Sequence, residues 1–155
     1  FDLRFFWVVI SVDPPIVLFH DGFPRVSTAK YQETDFSQKN LHITNHAMRD
    51  DVNEKNVSVD FVWERVRQQY KANYDDLSKK IPRDYIADPV GHVRNQMKEA
   101  IGVFAKAFLS GNTRTFGDFK TNHTVTSENS FGFYGSDFII DNDLDVYFLE
   151  PQTNP

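Results

Sequence analysis

Cysteine is absent from the 155 residues, which excludes disulfide frameworks and thiolate metal sites and fits a reducing compartment. A long apolar run at the start is absent too. The stretch Phe5 to Ile10 falls far short of the roughly 20 residues that a spanning helix needs. Arg4 precedes it, so no membrane partner is expected. Positive charge is not in excess: 17 Lys and Arg against 22 Asp and Glu leave a formal net charge of -5. That removes the general electrostatic case for nucleic acid as a partner. There is no P-loop and no G-x-G-x-x-G, so any use of ATP must do without those loops. Neither Ser27 nor Ser136 sits in a nucleophile elbow or beside a paired base, which argues against acyl-enzyme chemistry. His42 and His46 lack the glutamate of H-E-x-x-H and any cysteine partner, so zinc chemistry is not expected either.

What is present is an ordinary globular mixture. Hydrophobic residues make up 40%, charged residues 25% and aromatic residues 15%, with 15 Phe, enough for a substantial core. The length suits one domain or part of a larger one. The chain opens on Phe1-Asp2-Leu3-Arg4 without Met and stops at Pro155, just after a strand and its loop. Both ends read as cut, and the chain as a fragment of a longer protein. The sequons at Asn56 and Asn122 are expected to be unmodified, since nothing else points to secretion.

Phe1 to Ser11 reads as a strand rich in aromatic and β-branched residues. Asp13-Pro14-Pro15 is a turn and Ile16 to His20 a second strand. Asp21-Gly22 reads as a tight turn before a third short strand, Phe23 to Ser27, completing a meander. Tyr31 to about Asn56 is polar and irregular. Ser58 or Asp60 can cap a helix running to Tyr70 or Tyr74, with Phe61, Val62, Val66 and Tyr70 along one stripe. A short helix is expected at Asp75 to Lys80, ended by Pro82. A longer one is expected from Pro89 to Ser110, where Val93, Met97, Ile101, Phe104 and Phe108 recur at helical spacing before a C-cap Gly111. Phe131 to Ile140 and Leu144 to Leu149 read as two strands around Asp141-Asn142-Asp143. The order strands, helices, strands gives α+β with an antiparallel sheet.

The last hairpin carries acids. Taking Asn142-Asp143 as the tip of a two-residue turn sets Asp137 opposite Phe148. Side-chain alternation then puts Asp137, Phe148, Glu150 and Gln152 on one face. Asp137 and Glu150 become diagonal neighbours, roughly 7–8 Å apart. Like charges so close repel unless something positive neutralises them. Magnesium takes hard oxygen ligands, commonly one or two carboxylates plus substrate phosphates, and Gln152 offers an amide oxygen. The alternative is a solvent-facing hairpin with scattered acids, and an odd-length turn would separate the two.

The basic candidates are Arg4, placed inside an apolar strand where a charge is costly unless it is paired or faces a site, and Arg25. Arginine's planar fork suits phosphate and carboxylate. A surface ion pair is the alternative for each. Lys30 and Lys39 are further candidates, most simply solvated. Thr44 and Asn45 add a hydroxyl and an amide in a loop.

Five stretches together resemble the tubulin–tyrosine ligase family. They are Phe1-Asp2-Leu3-Arg4, Asp21 to Tyr31, His42-Ile43-Thr44-Asn45-His46, Phe133-Tyr134-Gly135-Ser136-Asp137 and Leu149-Glu150-Pro151-Gln152-Thr153-Asn154-Pro155. The corresponding family pattern is close to F-D-[IL]-R, E-G-x-x-R-x-[AS]-[TS]-x-x-[YF], H-L-T-N, [FY]-G-x-D and L-E-V-N-x-x-P. The resemblance implies an ATP-grasp fold, ATP and Mg2+, and amide-bond formation to a protein carboxylate through an acyl-phosphate. It implies a protein substrate of the tubulin kind, a free amino acid as second substrate, and a cytoplasmic, microtubule- or cilium-associated location. By the same resemblance Asp137, Glu150 and Gln152 are metal ligands, with Gln152 at the family's asparagine position. Arg4 and Arg25 approach the phosphates or acyl-phosphate, and Thr44 and Asn45 are nucleotide- or substrate-site residues. The chain would be the C-terminal portion of the domain, without the nucleotide-binding part upstream. His46 is closer to the tyrosine ligase than to the glutamylases.

The departures are Gln152 for Asn, Pro151 at a strand position, and Ser136 for a hydrophobic residue. They keep a catalytically silent member that binds tubulin or nucleotide as the alternative. An unrelated α+β domain or magnesium phosphohydrolase is the third reading.

Overall fold

The computed structural model describes residues 1–12, 14–27, 32, 34, 36–37, 39–44, 57–109, 131–153 and 155. Two hairpins build one sheet. β1 (Asp2–Val12) pairs with β2 (Pro15–Arg25), and β3 (Gly132–Ile140) pairs with β4 (Val146–Gln152). β1 and β3 then join antiparallel, giving the order β2-β1-β3-β4. Between the hairpins come α1 (Lys39–His42), α2 (Val59–Ala72), α3 (Tyr74–Lys80), a 3-10 turn at Arg83–Tyr85 and α4 (Pro89–Leu109). The architecture is the expected α+β, ATP-grasp-like arrangement.

Period-two alternation decides which side of the sheet is covered. Leu3, Phe5, Trp7 and Val9 are fully buried. They meet Val62, Trp63, Val66 and Tyr70 of α2 and Val93, Met97, Ile101 and Ala105 of α4. Each of the larger aliphatic and Phe side chains among them contributes about 1.5–3 kcal/mol when removed from water. Trp7 stacks on Tyr134 at 4.4 Å between ring centroids, and Phe104 of α4 meets its edge at 6.0 Å. α2 begins where expected, the Ser58 hydroxyl accepting from the Asp60 amide at 3.1 Å. Its buried stripe includes Trp63 and leaves Phe61 exposed, which corrects the stripe read from the sequence. Gly111 lies outside the described residues.

The strand boundaries differ in three places. There is no separate third strand at Phe23 to Ser27: β2 runs unbroken through Asp21-Gly22, which form a bulge rather than a tight turn. The last hairpin turns over five residues, from Asp141 to Asp145, because Ile140 pairs with Val146. Leu144 sits there at a φ of 65° and is buried in the core. A leucine tolerates that left-handed backbone only where its surroundings enforce it. Here Gln96 of α4 clamps the turn, its amide donating to the Leu144 carbonyl at 2.9 Å and accepting from the Val146 amide at 3.1 Å. Finally, a bulge at Leu149 shifts β4 by one more residue. Pro151 is tolerated because β4 is an edge strand.

Ser136 has a definite place in this core. It is fully buried, and its hydroxyl accepts from the Trp7 indole at 3.1 Å. Replacing Ser136→Ala strips the acceptor from a buried donor, which costs about 1–3 kcal/mol. Urea unfolding is expected to show a lower midpoint at unchanged slope; an unchanged midpoint would contradict this role.

Candidate active site

The same alternation arms the other face of the sheet. One row crosses all four strands: Phe23 on β2, Arg4 on β1, Asp137 on β3 and Glu150 on β4 are consecutive partners. In the neighbouring rungs Asp2 faces Arg25 and Gly135 faces Gln152. Asp137 and Glu150 are therefore directly opposed, not diagonal, and Phe148 pairs with Phe138 on the covered face. The turn and the Leu149 bulge each displace β4 by one residue in the same direction. The two displacements restore parity, so Asp137, Glu150 and Gln152 still share a face.

Asp137 is the centre of the charge arrangement. Arg4 grips it as a fork, Nε donating to Oδ1 at 2.8 Å and Nη2 to Oδ2 at 2.9 Å. Arg25 adds a third bond, Nη2 to Oδ2 at 2.7 Å. Arg25 Nε in turn donates to Oδ1 of Asp2 at 2.6 Å, and the Thr44 hydroxyl donates to Asp2 Oδ2. Asp2, Arg25 and Asp137 are all buried. Two arginines and two aspartates cancel, which is what permits charges to be buried here. Glu150 is exposed, and its Oε1 accepts from the Gln152 amide nitrogen at 2.6 Å.

Burial pushes the Asp137 carboxyl up, but the hydrogen bonds and charges of Arg4 and Arg25 outweigh it and hold the group below the ordinary carboxylate value. Burial likewise works against the Arg25 cation. Asp2 and Asp137 overcome it, so Arg25 is held still more firmly charged.

The face is closely packed over Gly135. A Cβ there would come within 2.7 Å of Pro155 and 3.6 Å of both the Arg4 stem and Gln152. Two opposed carboxylates and an amide oxygen are the kinds of hard-oxygen donor that magnesium shares with phosphates, and in this structure both Asp137 oxygens are engaged by Arg4 and Arg25. Among the described residues no group of three or more His, Cys, Asp or Glu offers a protein-only cage.

The structure thus brings together Arg4, Arg25, Thr44, Asp137, Glu150 and Gln152. Asn45, Lys30 and His46 lie outside the described residues, and Lys39 opens α1. The sequence reading assigned no role to Asp2. Its signal was available, since it stands two residues from Arg4 and so on the same face of β1. Beyond the charged row the face is apolar, with Phe6 lying 6.0 Å from Phe23 and 5.5 Å from Phe133 between ring centroids.

The family model described as the tubulin-tyrosine ligase family matches residues 1–155, and the chain belongs to that family. Among curated relatives, tubulin polyglutamylase TTLL7 of Homo sapiens is 33% identical over 91 residues, which is 51% of this chain and 10% of that protein. Tubulin polyglutamylase TTLL7 of Mus musculus is 42% identical over 52 residues, 31% of this chain and 6% of that protein. The matched stretches thus span a tenth or less of the length of these relatives. Among the described residues no helix is long and apolar enough to cross a membrane.

The depressed Asp137 carboxyl makes a pH prediction. Its folded value lies below its unfolded one, so its contribution to stability is complete above the ordinary value, about 3.9, and is lost as pH falls through the folded value. Asp137→Asn leaves Arg4 without its anion and Arg25 with Asp2 alone, at a cost of about 3–5 kcal/mol near neutrality. Urea unfolding across a pH series should show the gap between wild type and variant constant above pH ~5 and narrowing below pH ~4. A gap that widened with acid would contradict the assignment.

Proposed function

We propose that this chain is part of an ATP-dependent ligase that joins an amino acid to a protein side-chain or terminal carboxylate, with tubulin as the protein substrate. The observation that carries this reading is the row Arg4–Asp137–Glu150, a buried carboxylate held by two arginines directly across from a second carboxylate. Family membership supports the ligase chemistry, ATP as co-substrate and a cytoskeletal setting. The names of the two relatives favour glutamate over tyrosine as the amino acid, against the reading drawn from His46. Residues 1–155 would form the C-terminal portion of the ATP-grasp domain.

In this reading Asp137, Glu150 and the Gln152 amide oxygen would hold Mg2+, which when bound neutralises charge on the phosphates. Arg4 and Arg25 present guanidinium N–H groups to the transferring phosphoryl group and then to the acyl-phosphate, where negative charge develops. Phosphoryl transfer asks for positioning and neutralisation rather than covalent help from the protein. Asp2 keeps Arg25 aligned through its Nε while Nη2 reaches Asp137. The amine of the incoming amino acid then displaces phosphate and the amide bond remains.

One observation favours the catalytically silent alternative. Gln152 stands at the family's asparagine position with an arm one methylene longer.

The test is incorporation of labelled glutamate into tubulin by the protein at its natural length. Asp137→Ala and Glu150→Ala are each expected to abolish it. Full activity in either variant would contradict the metal assignment. Mg·ATP binding by wild type without any incorporation would establish the silent alternative.

A further inference from the structure

The β2 bulge lies outside the charged row yet sets its geometry. Opposite the single residue Phe5 of β1, β2 carries two residues, Asp21 and Gly22, between the pairs Arg4–Phe23 and Phe6–His20. An inserted residue reverses the facing of every side chain beyond it. Here it brings Phe23 and Arg25 into phase with Arg4 and Asp2. Continuing the Phe6–His20 register without the insertion would set Pro24 against Asp2 and swing Arg25 to the helix-covered side.

The bulge is fastened from behind. Asp21 turns towards the helices, where its Oδ2 accepts from the Trp63 indole of α2 at 3.2 Å. Its Oδ1 lies 2.9 Å from Nη2 of Arg94 on α4. The Arg94 guanidinium in turn sits over the Trp63 ring, 6.0 Å from its centroid. A carboxylate on this side is expensive without partners; one hydrogen bond from Trp63 and an ion pair with Arg94 that lacks hydrogen-bond geometry, from two helices, pin the strand. Gly22 then presses the backbone home. A Cβ at that position would stand 1.9 Å from the Arg4 carbonyl oxygen.

Building on the ligase reading, we propose that Asp21 is a positioning residue. Held by Trp63 and Arg94, it fixes the bulged register of β2 and thereby holds Arg25 against Asp2 and Asp137. It touches no substrate and acts through the four-residue step of backbone from Asp21 to Arg25. The helical layer, which among the described residues places no side chain in the row, thus determines where one of its two arginines points.

The experiment is a double-mutant cycle in the protein at its natural length, read by steady-state incorporation of labelled glutamate and by thermal unfolding. Asp21→Ala is expected to lower kcat about 10- to 100-fold, the scale of a small misplacement of a catalytic group, with KM for the amino acid unchanged. Asp21→Glu should recover part of that loss. In an Arg25→Lys background, Asp21→Ala should add little, since both act through one guanidinium. Arg94→Gln and Trp63→Phe, which remove one partner each, should move kcat in the same direction by less, and they decide the matter if Asp21→Ala does not fold. Multiplicative losses in the double variant would overturn the proposal and leave Asp21 a stabilising contact. So would wild-type kcat in Asp21→Ala and Arg94→Gln beside an impaired Arg25→Lys, and the ligase reading would survive either result. Full activity in Arg25→Lys and Arg25→Ala would instead bring down the site assignment on which the proposal rests.

Discussion

The carboxylate of Asp137 accepts three hydrogen bonds from two guanidiniums, and most of the open face is arranged around that fact. An ionised carboxylate so deeply buried persists only if its charge is met at close range. Meeting it requires Arg4 beside it on β1 and Arg25 one strand further out. Arg25 in turn requires Asp2, and Asp2 takes the hydroxyl of Thr44, which ties the segment after α1 to the sheet. Each link follows from a pairing register, so the electrostatics of the face are a consequence of how the strands align.

Register is set on the covered side. Leu3, Phe5, Trp7 and Val9 commit β1 to one orientation, because a slip of one residue would expose all four. β2 follows with its bulge held by α2 and α4, and β4 follows with its turn clamped by Gln96 of α4. Ser136 shows how closely the two sides are joined: it satisfies the Trp7 indole below the sheet while its neighbour Asp137 serves the face above. Its polarity, unusual beside such an aspartate, thus has a structural cause.

Much of this was legible in the residues. The helices follow from spacing and caps, the α+β order from strand and helix patterns, and the grouping of Arg4, Arg25, Asp137, Glu150 and Gln152 from the family resemblance. What escaped was register. Asn142-Asp143 carries an ordinary short-turn signal, and nothing local announces that Leu144 will take a left-handed backbone to reach the core. Asp21-Gly22 likewise has the composition of a hairpin turn. Only the helices behind it, contributing Trp63 and Arg94 from far along the chain, make it a bulge. Two unseen displacements in β4 happened to restore parity, which is why the shared face survived while the diagonal geometry and the place of Phe148 did not. Asp2 was overlooked because one buried acid near a strand start has no motif of its own; its meaning depends on Arg25 across the hairpin.

In the proposed reading the opposed carboxylates of Asp137 and Glu150 hold a divalent cation together with a nucleoside triphosphate. Electron paramagnetic resonance of Mn2+ titrated into the protein at its natural length, with a non-hydrolysable ATP analogue present, tests it most directly. Nucleotide-dependent Mn2+ binding is expected, lost in Asp137→Asn and weakened in Glu150→Gln. Equal Mn2+ binding by wild type and both variants would contradict it.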